Sequence, residues 1–556
     1  MFAAQPLSAV VCAAVLAGTG GVTRSETPAI AARQSDPARV ALLAPAIVRH
    51  FPDPARRYET PAFTPGREGF PAHDEVLAFA RGLALRHPGH VTFEVIGASQ
   101  EGREVPLLIL AAGGRPLASR PTMLVIGQQH GNEPAGGEGA LAIATELAGP
   151  RAALLNHVNV FIVPRANPDG AARFVRATPS GTDVNRDHLL LQTPEARALA
   201  GLVRRQRPQI VLDLHEFTVG DRWVRKFGVV QAYDALLQPA TVGNLHPAVS
   251  RMAEGQFLAR MRAALEREGQ RTFVYHTTSS DVDDKAVSMG GVQPDTGRNV
   301  NGLRQAVSIL VETRGIGLGR AHLGRRVHAH VTAALAAVEE AARQGPRLVA
   351  RAHAVHRDVA AEACRGALVV DARLRPGRQV MTFLDATTGE ERRLDVEWRS
   401  AVKPLVTRSR QRPCGYLLAA TERAAVKRLK ALGVAVQRVV EPGTWRLERY
   451  HVEASDEGQR QDARGVIDDG APIRLFTVRL VRGREPVAAG DFYVSMAQPL
   501  GAIVAAALEP DSQSSFAANG LLDIEHGGLR RVMTPPPARA LVRDDSSDTA
   551  RAPPIQ

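Results

Sequence analysis

The chain has 556 residues, of which 44% are hydrophobic and 23% are charged. This length exceeds what one ordinary hydrophobic core accommodates, so two or three globular domains are expected. The net charge is +12, but the excess is spread along the chain, is carried mostly by arginine, and accompanies only 4% aromatic residues. A nucleic-acid-binding surface needs a concentrated basic stripe, so that class is not expected, whereas attraction to an acidic polymer such as cell-wall material stays open.

The first apolar segment covers residues 7–18 and is too short to cross a bilayer. It resembles the hydrophobic part of a secretory signal, although no lysine or arginine precedes it. We therefore predict a signal peptide over residues 1–24, a lead-in segment over residues 25–69, and export to the periplasm or the medium. If this signal is not used, the protein stays in the cytoplasm. No other stretch predicts a transmembrane span.

The chain has three cysteines. Cys12 would leave with the signal peptide, so Cys364 and Cys414 remain. An exported protein allows a disulfide between them, but two free buried thiols fit the sequence equally well. Neither belongs to a pair with metal-binding spacing.

Helix and strand patterns alternate between residues 70 and 345. The periodic apolar positions predict helices, and the short apolar runs predict strands. In chain order we expect a helix at 73–86, strands at 91–97, 105–110 and 122–127, helices at 137–147 and 194–206, a strand at 210–214, a helix at 247–268, a strand at 306–311 and a helix at 323–343. This order predicts an α/β domain over residues 70–345, with a mixed, mostly parallel sheet and helices on both faces.

Beyond residue 345 the sequence changes to short β-type runs separated by turn residues. These runs cover residues 367–370, 379–384, 473–478 and 492–494, and one helix is expected at 424–432. We predict a mostly β accessory region over residues 346–534, without a metal-ligand cluster or a phosphate loop in its sequence. Residues 535–556 begin with a run of prolines and contain an acidic, serine-rich run, so we predict a disordered tail there.

The motif with the most chemical information follows the apolar run at residues 122–127, where His130 and Glu133 share one turn. The second apolar run, at residues 210–214, is followed by His215. Because the carboxyl ends of parallel strands meet at one edge of a sheet, we expect these three side chains to lie together. Two imidazoles and one carboxylate bind zinc and leave a position open for water, which is the arrangement of a catalytic site.

A third apolar run, at residues 306–311, leads into Glu312. A carboxylate in so apolar a setting is costly to bury without a partner. Glu312 is therefore either a paired core acid or a functional group. The functional interpretation is a general base for the zinc-bound water, because the end of a neighbouring strand would place it within hydrogen-bond reach.

Polar motifs fall between the first and the second ligand element. Residues 167–170 read Asn-Pro-Asp-Gly and predict a turn, and Arg173 and Arg176 follow it. Further along, Arg186 can fork onto a carboxylate through two N–H donors, and Asn185 can add another. Arginine is plentiful in this chain, so the cluster is informative because of its place between the metal ligands.

In this order the motifs resemble those of the zinc carboxypeptidase family, the carboxypeptidase A-like metallopeptidases. The shared pattern comprises the His-x-x-Glu pair, the Asn-Pro-Asp-Gly turn, an Asp-x-Asn-Arg stretch at residues 183–186, the strand-end histidine and a Glu-x-Arg segment at residues 312–314. The resemblance implies a carboxypeptidase-like α/β fold with a C-terminal accessory region and one zinc ion per chain.

The resemblance also implies roles for the residues around the metal. His130, Glu133 and His215 would hold the zinc. Glu312 would be the general base and later the proton donor to the leaving amine. Asp183 would orient His130 from behind, a support that fixes the tautomer and the ring direction.

Further roles concern the substrate. Asn185 and Arg186 would bind its terminal carboxylate, so that only a bond near a free C-terminus is placed correctly. Arg176 would polarise the scissile carbonyl and stabilise the oxyanion, with Arg173 as the competing candidate.

Two features depart from the family pattern. The family commonly has a substrate-capping tyrosine shortly before the general base, whereas residues 289–294 contain none. The nearest upstream tyrosine, Tyr275, is too distant in sequence to receive the role. The segment between the Asn-Pro-Asp-Gly turn and Asn185 is also short. An acidic loop at residues 281–284 could line a pocket for basic groups, although a solvated loop is the plainer interpretation.

Together these residues predict a zinc-dependent metallocarboxypeptidase that hydrolyses the C-terminal amide bond of peptides or of cell-wall stem peptides. The alternative is a zinc-dependent deacylase of N-acyl amino acids on the same fold, which the missing tyrosine favours. A non-catalytic binding module is disfavoured, because a pure binder has no need of Glu312 beside the metal. The sequence leaves open the preferred C-terminal residue, its stereochemistry, the oligomeric state and the role of the C-terminal region.

Overall fold

The computed structural model describes residues 43–467 and 472–544. The predicted signal peptide lies outside the described residues. The strands up to residue 361 are β1 (Val91–Ala98), β2 (Glu104–Leu110), β3 (Thr122–Gly127), β4 (Asn159–Val163), β5 (Ile210–Thr218), β6 (Val229–Gln231), β7 (Ala235–Pro239), β8 (Thr272–Val274), β9 (His276–Thr278), β10 (Val287–Met289) and β11 (Val307–Ile316).

The helices of the same part surround these strands. They are α1 (Pro45–Val48), α2 (His73–Arg86), α3 (Pro134–Ala148), α4 (Pro168–Arg173), α5 (Pro194–Gln206), α6 (Arg222–Phe227), α7 (Pro247–Met252), α8 (Ala259–Arg267), α9 (Gly297–Leu303), α10 (Leu323–Gln344) and α11 (Pro346–Ala361). The helix predicted at residues 247–268 is confirmed as one continuous helical segment, within which a wider π-helical stretch, Ala253–Leu258, lies between α7 and α8.

Eight of the strands form one sheet in the order β1-β2-β4-β3-β5-β11-β7-β8. Strands β4, β3, β5 and β11 in its middle run parallel. Antiparallel pairs join this parallel centre to β2 on one side and to β7 on the other. The predicted α/β class with a mixed, mostly parallel sheet is confirmed.

Both faces of this sheet are covered, as the continuous apolar runs predict. In β3, Met123 and Val125 pack into a core with residues of α2, α3, α8 and α10. Their neighbours Leu124 and Ile126 point to the opposite face and pack into a second core with residues of α5. The same alternation continues in β5, so Val211, Asp213 and His215 share the α5 face of the sheet.

The two strands that carry the site are longer than predicted. We expected strands to end at residues 214 and 311, just before His215 and Glu312. Instead β5 and β11 continue to Thr218 and Ile316, and their parallel register pairs Glu312 with His215. Adjacent residues in register point to the same face of a sheet, so this pairing brings the two side chains together.

The C-terminal part contains long strands rather than the short runs that we predicted. Its elements are β12 (Ala367–Asp385), β13 (Glu391–Gln411), β14 (Gly415–Leu418), α12 (Arg423–Ala431), β15 (Gln437–Val439), β16 (Gly443–Gly458), β17 (Gln461–Asp462), β18 (Gly465–Val466), β19 (Ile473–Val487), β20 (Phe492–Ser495), α13 (Gly501–Leu508), β21 (Leu529–Val532) and β22 (Leu541–Arg543). Pro376 and Gly377 lie between two of the predicted runs, yet both pair with β13 and β12 continues through them, with register shifts on either side of Asp371 and near Arg373.

The C-terminal strands form two further large sheets. One has the order β6-β12-β13-β10-β9, so strands from both halves of the chain share it, and the other has the order β19-β16-β21-β14-β20-β15-β22. The predicted mostly β character is confirmed, and the domain boundaries stay predictions. Disorder from residue 535 is wrong for residues 541–543, because β22 pairs with β15 there; residues 545–556 lie outside the described residues.

A disulfide joins Cys364 to Cys414 and closes the base of the β12–β13 hairpin. Of the two alternatives left open by the sequence, the disulfide is therefore the correct one. Among residues 43–467 and 472–544, no helix has the length and apolar composition needed to cross a membrane.

Candidate metal centre and active site

Two neighbouring strands and one loop position the predicted metal ligands. His130 lies in the loop after β3, and Glu133 is the residue that immediately precedes α3. A close backbone contact fixes this loop, because a Cβ atom at Gly131 would lie 1.9 Å from the carbonyl carbon of Gly170. Glycine at position 131 therefore lets the ligand loop pack against the segment that carries Arg176. His215 reaches the same place from β5.

The three predicted ligands converge in the buried interior. His130 Nδ1 lies 2.8 Å from Glu133 Oε1, and His215 Nδ1 lies 2.8 Å from Glu133 Oε2. The two Nδ1 atoms are 3.0 Å apart. Among the described residues, these three form the group whose donor atoms lie close enough together to hold a metal ion.

A carboxylate behind each histidine sets the direction of its ring. His130 Nε2 lies 3.0 Å from Asp183 Oδ1, as predicted, and His215 Nε2 lies 2.8 Å from Asp213 Oδ1. An imidazole that donates Nε2–H to a carboxylate keeps a lone pair on Nδ1. Two Nδ1 lone pairs and one carboxylate then face a common point, and a divalent cation is the group that fits these donors.

The pKa values of the predicted ligands show that their carboxylates attract positive charge. Burial by itself would lower the pKa of His215, but Asp213 and Glu133 raise it well above its ordinary value. Burial opposes ionisation of Glu133, yet the two histidines hold its pKa below the ordinary range. The protein therefore compensates these carboxylates with protons, which a bound cation would displace.

Glu312 lines the same cavity as His130 and Glu133. Its side chain is buried, and burial together with the negative charge of Glu133 raises its pKa to about 8. His215, Arg176 and Arg464 act in the opposite direction. Glu312 makes no ion pair among the described residues, so the alternative of a paired core acid is not supported.

The conformation of the segment after β4 decides which of the two arginines, Arg173 or Arg176, faces the predicted metal ligands. Asn167 caps α4 by accepting a hydrogen bond from Gly170 N at 2.8 Å, so the predicted turn begins a short helix. Phe174 then adopts a left-handed conformation that ends this helix. Arg173 stays on the helix surface and pairs with Glu101, whereas Arg176 turns towards the metal ligands.

Arg176 is held in a defined orientation. Its Nε and Nη2 donate to Asp183 Oδ2 at 2.9 and 2.7 Å. The remaining Nη1 lies 3.1 Å from His130 Nδ1 and 3.5 Å from Glu133 Oε1. Asp183 thus orients both a predicted metal ligand, His130, and a guanidinium whose Nη1 faces the predicted ligands.

Asn185 and Arg186 line the cavity, but both already contact protein groups. Asn185 Oδ1 accepts from Gly297 N at 2.7 Å, and its Nδ2 lies 3.1 Å from His215 Nε2. Arg186 Nη2 donates to Asp462 Oδ2 at 2.5 Å. Asp462 belongs to the C-terminal region, 276 residues further along the chain.

The contact with Asp462 comes from a small hairpin, formed by β17, β18 and the residues between them, which we call the inserted hairpin. Three of its residues, Asp462, Ala463 and Arg464, line the metal-site cavity of about 190 Å³. Asp462 and Ala463 also line a second cavity of about 770 Å³. The inserted hairpin therefore forms part of the wall between the two.

Tyr275 also lines the metal-site cavity, despite its distance from Glu312 in sequence. Burial raises its pKa to about 12, with Glu312 and Arg464 among the charged groups that act on it. The acidic loop at residues 281–284 lies elsewhere. Asp281 and Asp283 are exposed, and Asp284 pairs with Arg399, so the loop does not line this cavity.

Three contributors to the site were missed from the sequence. Asp213 precedes His215 by two residues, and this spacing in a strand places both side chains on one face, so the signal was present. Tyr275 and Arg464 reach the cavity through the tertiary fold, and the local sequence around them gives no comparable signal.

Comparison with known proteins agrees with this geometry. The profile of the family described as zinc carboxypeptidase matches residues 76–220, a region that contains His130, Glu133 and His215. Carboxypeptidase 2 of Trichophyton rubrum is 29% identical over 510 residues, covering 88% of this chain and 92% of the relative. The probable carboxypeptidase 2 of Arthroderma benhamiae is 35% identical over 286 residues, covering 48% of this chain and 54% of the relative.

The similarity to solved structures is weaker than the similarity to these relatives in sequence. A putative carboxypeptidase from Burkholderia mallei aligns with a TM-score of 0.38 and 17% identity, covering 49% of this chain and 68% of the other. Thrombin-activatable fibrinolysis inhibitor aligns with a TM-score of 0.38 and 16% identity, covering 50% and 75%. Residues 76–220 thus match the zinc carboxypeptidase family, and curated relatives that align with most of this chain are carboxypeptidases; together these similarities indicate a metallocarboxypeptidase.

Proposed function

We propose that the protein binds one zinc ion through His130, Glu133 and His215 and removes single residues from the C-termini of peptides. The observation that carries this proposal is the convergence of three ligand atoms beside Glu312, which pairs in register with His215 and lines one cavity with His130 and Glu133. Two imidazoles and one carboxylate are the protein ligands of a catalytic zinc with an open position. When bound, zinc supplies Lewis acidity towards water and towards a carbonyl oxygen.

Glu312 is the proposed carrier of the proton. A carboxylate that takes a proton from water and returns it to the leaving nitrogen works best when its pKa is near the working pH. Burial and Glu133 move the pKa of Glu312 upward to about 8. A cation beside Glu133 acts in the opposite direction and favours the carboxylate, the form that accepts a proton.

Arg176 is the proposed oxyanion donor. Its two hydrogen bonds to Asp183 fix the side chain before substrate binds. Little reorganisation is therefore needed when negative charge develops on the substrate oxygen. Its Nη1 points towards the ligands and remains available for that oxygen. Tyr275 is the proposed cap over the bound residue, since it lines the same cavity as Glu312.

Asn185 and Arg186 are proposed to act on the substrate's terminal carboxylate in different ways. Arg186 has an Nε atom without a hydrogen-bond partner among the described residues, so it can bind a carboxylate while it keeps Asp462. Asn185 accepts a hydrogen bond from Gly297 N and packs against the His215 ring, and its contribution is to keep Arg186 and His215 in a fixed relation.

We further propose that the protein is exported. The disulfide between Cys364 and Cys414 supports this, because such bonds persist in oxidising compartments. In that setting both ordinary peptides and cell-wall stem peptides are accessible substrates. Secretion to the periplasm or medium would be tested by assaying the culture fractions for the protein and for loss of its first residues.

The substrate class is tested with the purified, zinc-loaded protein and a mixed library of peptides and stem peptides. Mass spectrometry should find products shortened by one C-terminal residue, and a chelator should abolish them. If the library stays intact while N-acyl amino acids are cleaved to a free amino acid and an acyl acid, the protein is a deacylase and the proposed substrate class is wrong.

A further inference from the structure

The inserted hairpin changes the charge of the cavity in which the substrate's last residue would bind. Its Asp462 Oδ2 accepts hydrogen bonds from Arg186 Nη2 at 2.5 Å and from Arg464 Nη2 at 3.0 Å. Asp462 Oδ1 accepts from the backbone N–H of Arg464 at 2.7 Å, which fixes the turn. One carboxylate thus bridges two guanidinium groups.

A third guanidinium, that of Arg298, faces the same cavity from α9. The side chain is buried, and its polar contacts are to neutral acceptors, Gly291 O at 2.8 Å and Asn299 Oδ1 at 3.3 Å. Among the described residues it forms no ion pair with a carboxylate. Burial lowers its pKa to about 10, and Arg186 acts in the same direction, whereas Tyr275, Asp213 and Asp295 act in the opposite direction.

We call Arg186, Arg298 and Arg464 the arginine cluster. With Asp462 as its one bridging carboxylate, the arginine cluster has an excess of two positive charges. Such an excess in a buried cavity is costly unless an anion compensates it.

The other carboxylates around the cavity are already committed. Glu216 pairs with Arg326 at 2.5 Å, and Asp295 pairs with Arg460 at 3.1 Å. Glu133 and Glu312 belong to the metal centre. A basic side chain in this cavity would therefore find no free carboxylate among the described residues. An apolar last residue, which brings only its α-carboxylate, would leave one of the two excess charges of the arginine cluster uncompensated.

We propose that the arginine cluster is a subsite for an acidic C-terminal residue, so that the enzyme prefers peptides ending in glutamate or aspartate. Such a residue brings an α-carboxylate and a side-chain carboxylate, and together they match the two excess positive charges. Charge-assisted hydrogen bonds to guanidinium groups supply both affinity and orientation. This inference rests on the proposed carboxypeptidase function.

The test uses four N-acylated dipeptides that differ in the last residue: glutamate, glutamine, leucine or lysine. The glutamate peptide should have a kcat/KM at least about 10-fold above that of its neutral isostere, the glutamine peptide, as expected for one charge-assisted contact. If the glutamine, leucine or lysine peptide is cleaved as fast as the glutamate peptide, the inference is wrong. If none of the four is cleaved, the proposed function fails instead.

Substitutions in the arginine cluster test whether its side chains cause the preference for glutamate. Arg298→Gln and Arg464→Gln should each bring the glutamate-to-glutamine ratio towards one, and Arg464→Lys should restore part of it. Arg225→Gln, which removes an exposed arginine on α6, is the matched control and should leave the ratio unchanged. An unchanged ratio in both cluster variants, with correct folding by circular dichroism, would overturn the assignment.

A binding experiment separates the subsite from turnover. Calorimetry with the metal-free protein should detect tighter binding of L-glutamate than of L-glutamine, and Arg464→Gln should remove this difference. Equal binding of the two amino acids by the wild-type protein would contradict the proposed subsite even if the enzyme cleaves peptides.

Discussion

Replacing Asp213 by asparagine tests whether the second buried carboxylate supports the metal centre. Asp213 Oδ1 lies 2.8 Å from His215 Nε2 and accepts a hydrogen bond from Gln129 at 2.6 Å. The change keeps the volume of the side chain and one acceptor oxygen but removes the negative charge. His215 should then be a weaker and less firmly oriented ligand.

The magnitude follows from the contact that is altered. A hydrogen bond to a charged group contributes about 1.5–3 kcal/mol and a neutral one about 0.5–1.5 kcal/mol, so the change should cost about 1–2 kcal/mol of metal-binding free energy. This corresponds to roughly a 5- to 30-fold increase in the Kd for zinc. Asp213 Oδ2 is buried and has no hydrogen-bond partner among the described residues, so an amide N–H₂ in its place would be left without an acceptor and the folded protein should also lose some stability.

The assay is competition for zinc between the metal-free protein and a chromophoric chelator. Asp187→Asn is the matched control, because it makes the same change at a buried carboxylate that contacts Gln192 and Thr193 rather than a ligand. The control should keep the wild-type Kd. If Asp213→Asn binds zinc as tightly as the wild type, Asp213 does not support His215 and the reasoning is refuted.

Three further predictions follow from the same geometry. Burial lowers the pKa of His276 from its ordinary value of 6.5 to about 4. Below pH 6.5 the unfolded chain therefore takes up a proton that the folded protein does not, and the free energy of unfolding should fall as the pH decreases towards 4. The loss by about pH 5 is about 2 kcal/mol. Urea unfolding should show a shallower acid decline for His276→Gln, and an unchanged slope would contradict the buried neutral ring. Opening the disulfide by Cys364→Ser should lower the free energy of unfolding by about 4 kcal/mol in the chain-entropy model, given the separation of 50 residues; a negligible change in the urea midpoint would contradict this. Zinc at about 100 times its Kd should stabilise the metal-free protein by about 2.7 kcal/mol, and a melting temperature unaffected by zinc would count against a built metal site.

The sequence predicts most of the candidate metal centre because its key residues stand just after apolar runs. His130, His215 and Glu312 follow such runs, and the parallel order of β3, β5 and β11 brings these runs together. The exact ends of the strands were not predictable, since His215 and Glu312 are polar and yet continue the ladder. The register, rather than the end of either strand, pairs these two residues.

Other parts of the site depend on long-range packing that a local pattern does not encode. Arg186 and Asp462 are 276 residues apart, and their contact exists because the inserted hairpin extends from the long β16–β19 ribbon. That ribbon was itself mistaken for short strands. Arg173 and Arg176 are distinguished by one left-handed residue, Phe174, whose conformation is unusual for a bulky side chain.

The most direct test of the central claim compares the wild type with Glu312→Gln in two measurements on the same preparations. Zinc content and the release of a C-terminal residue are measured together, because Glu312 is assigned to proton transfer and not to metal binding. The account predicts one zinc per chain in both proteins and a loss of turnover of about 10²- to 10⁴-fold in the variant. A variant that keeps its zinc and cleaves as fast as the wild type would contradict the account.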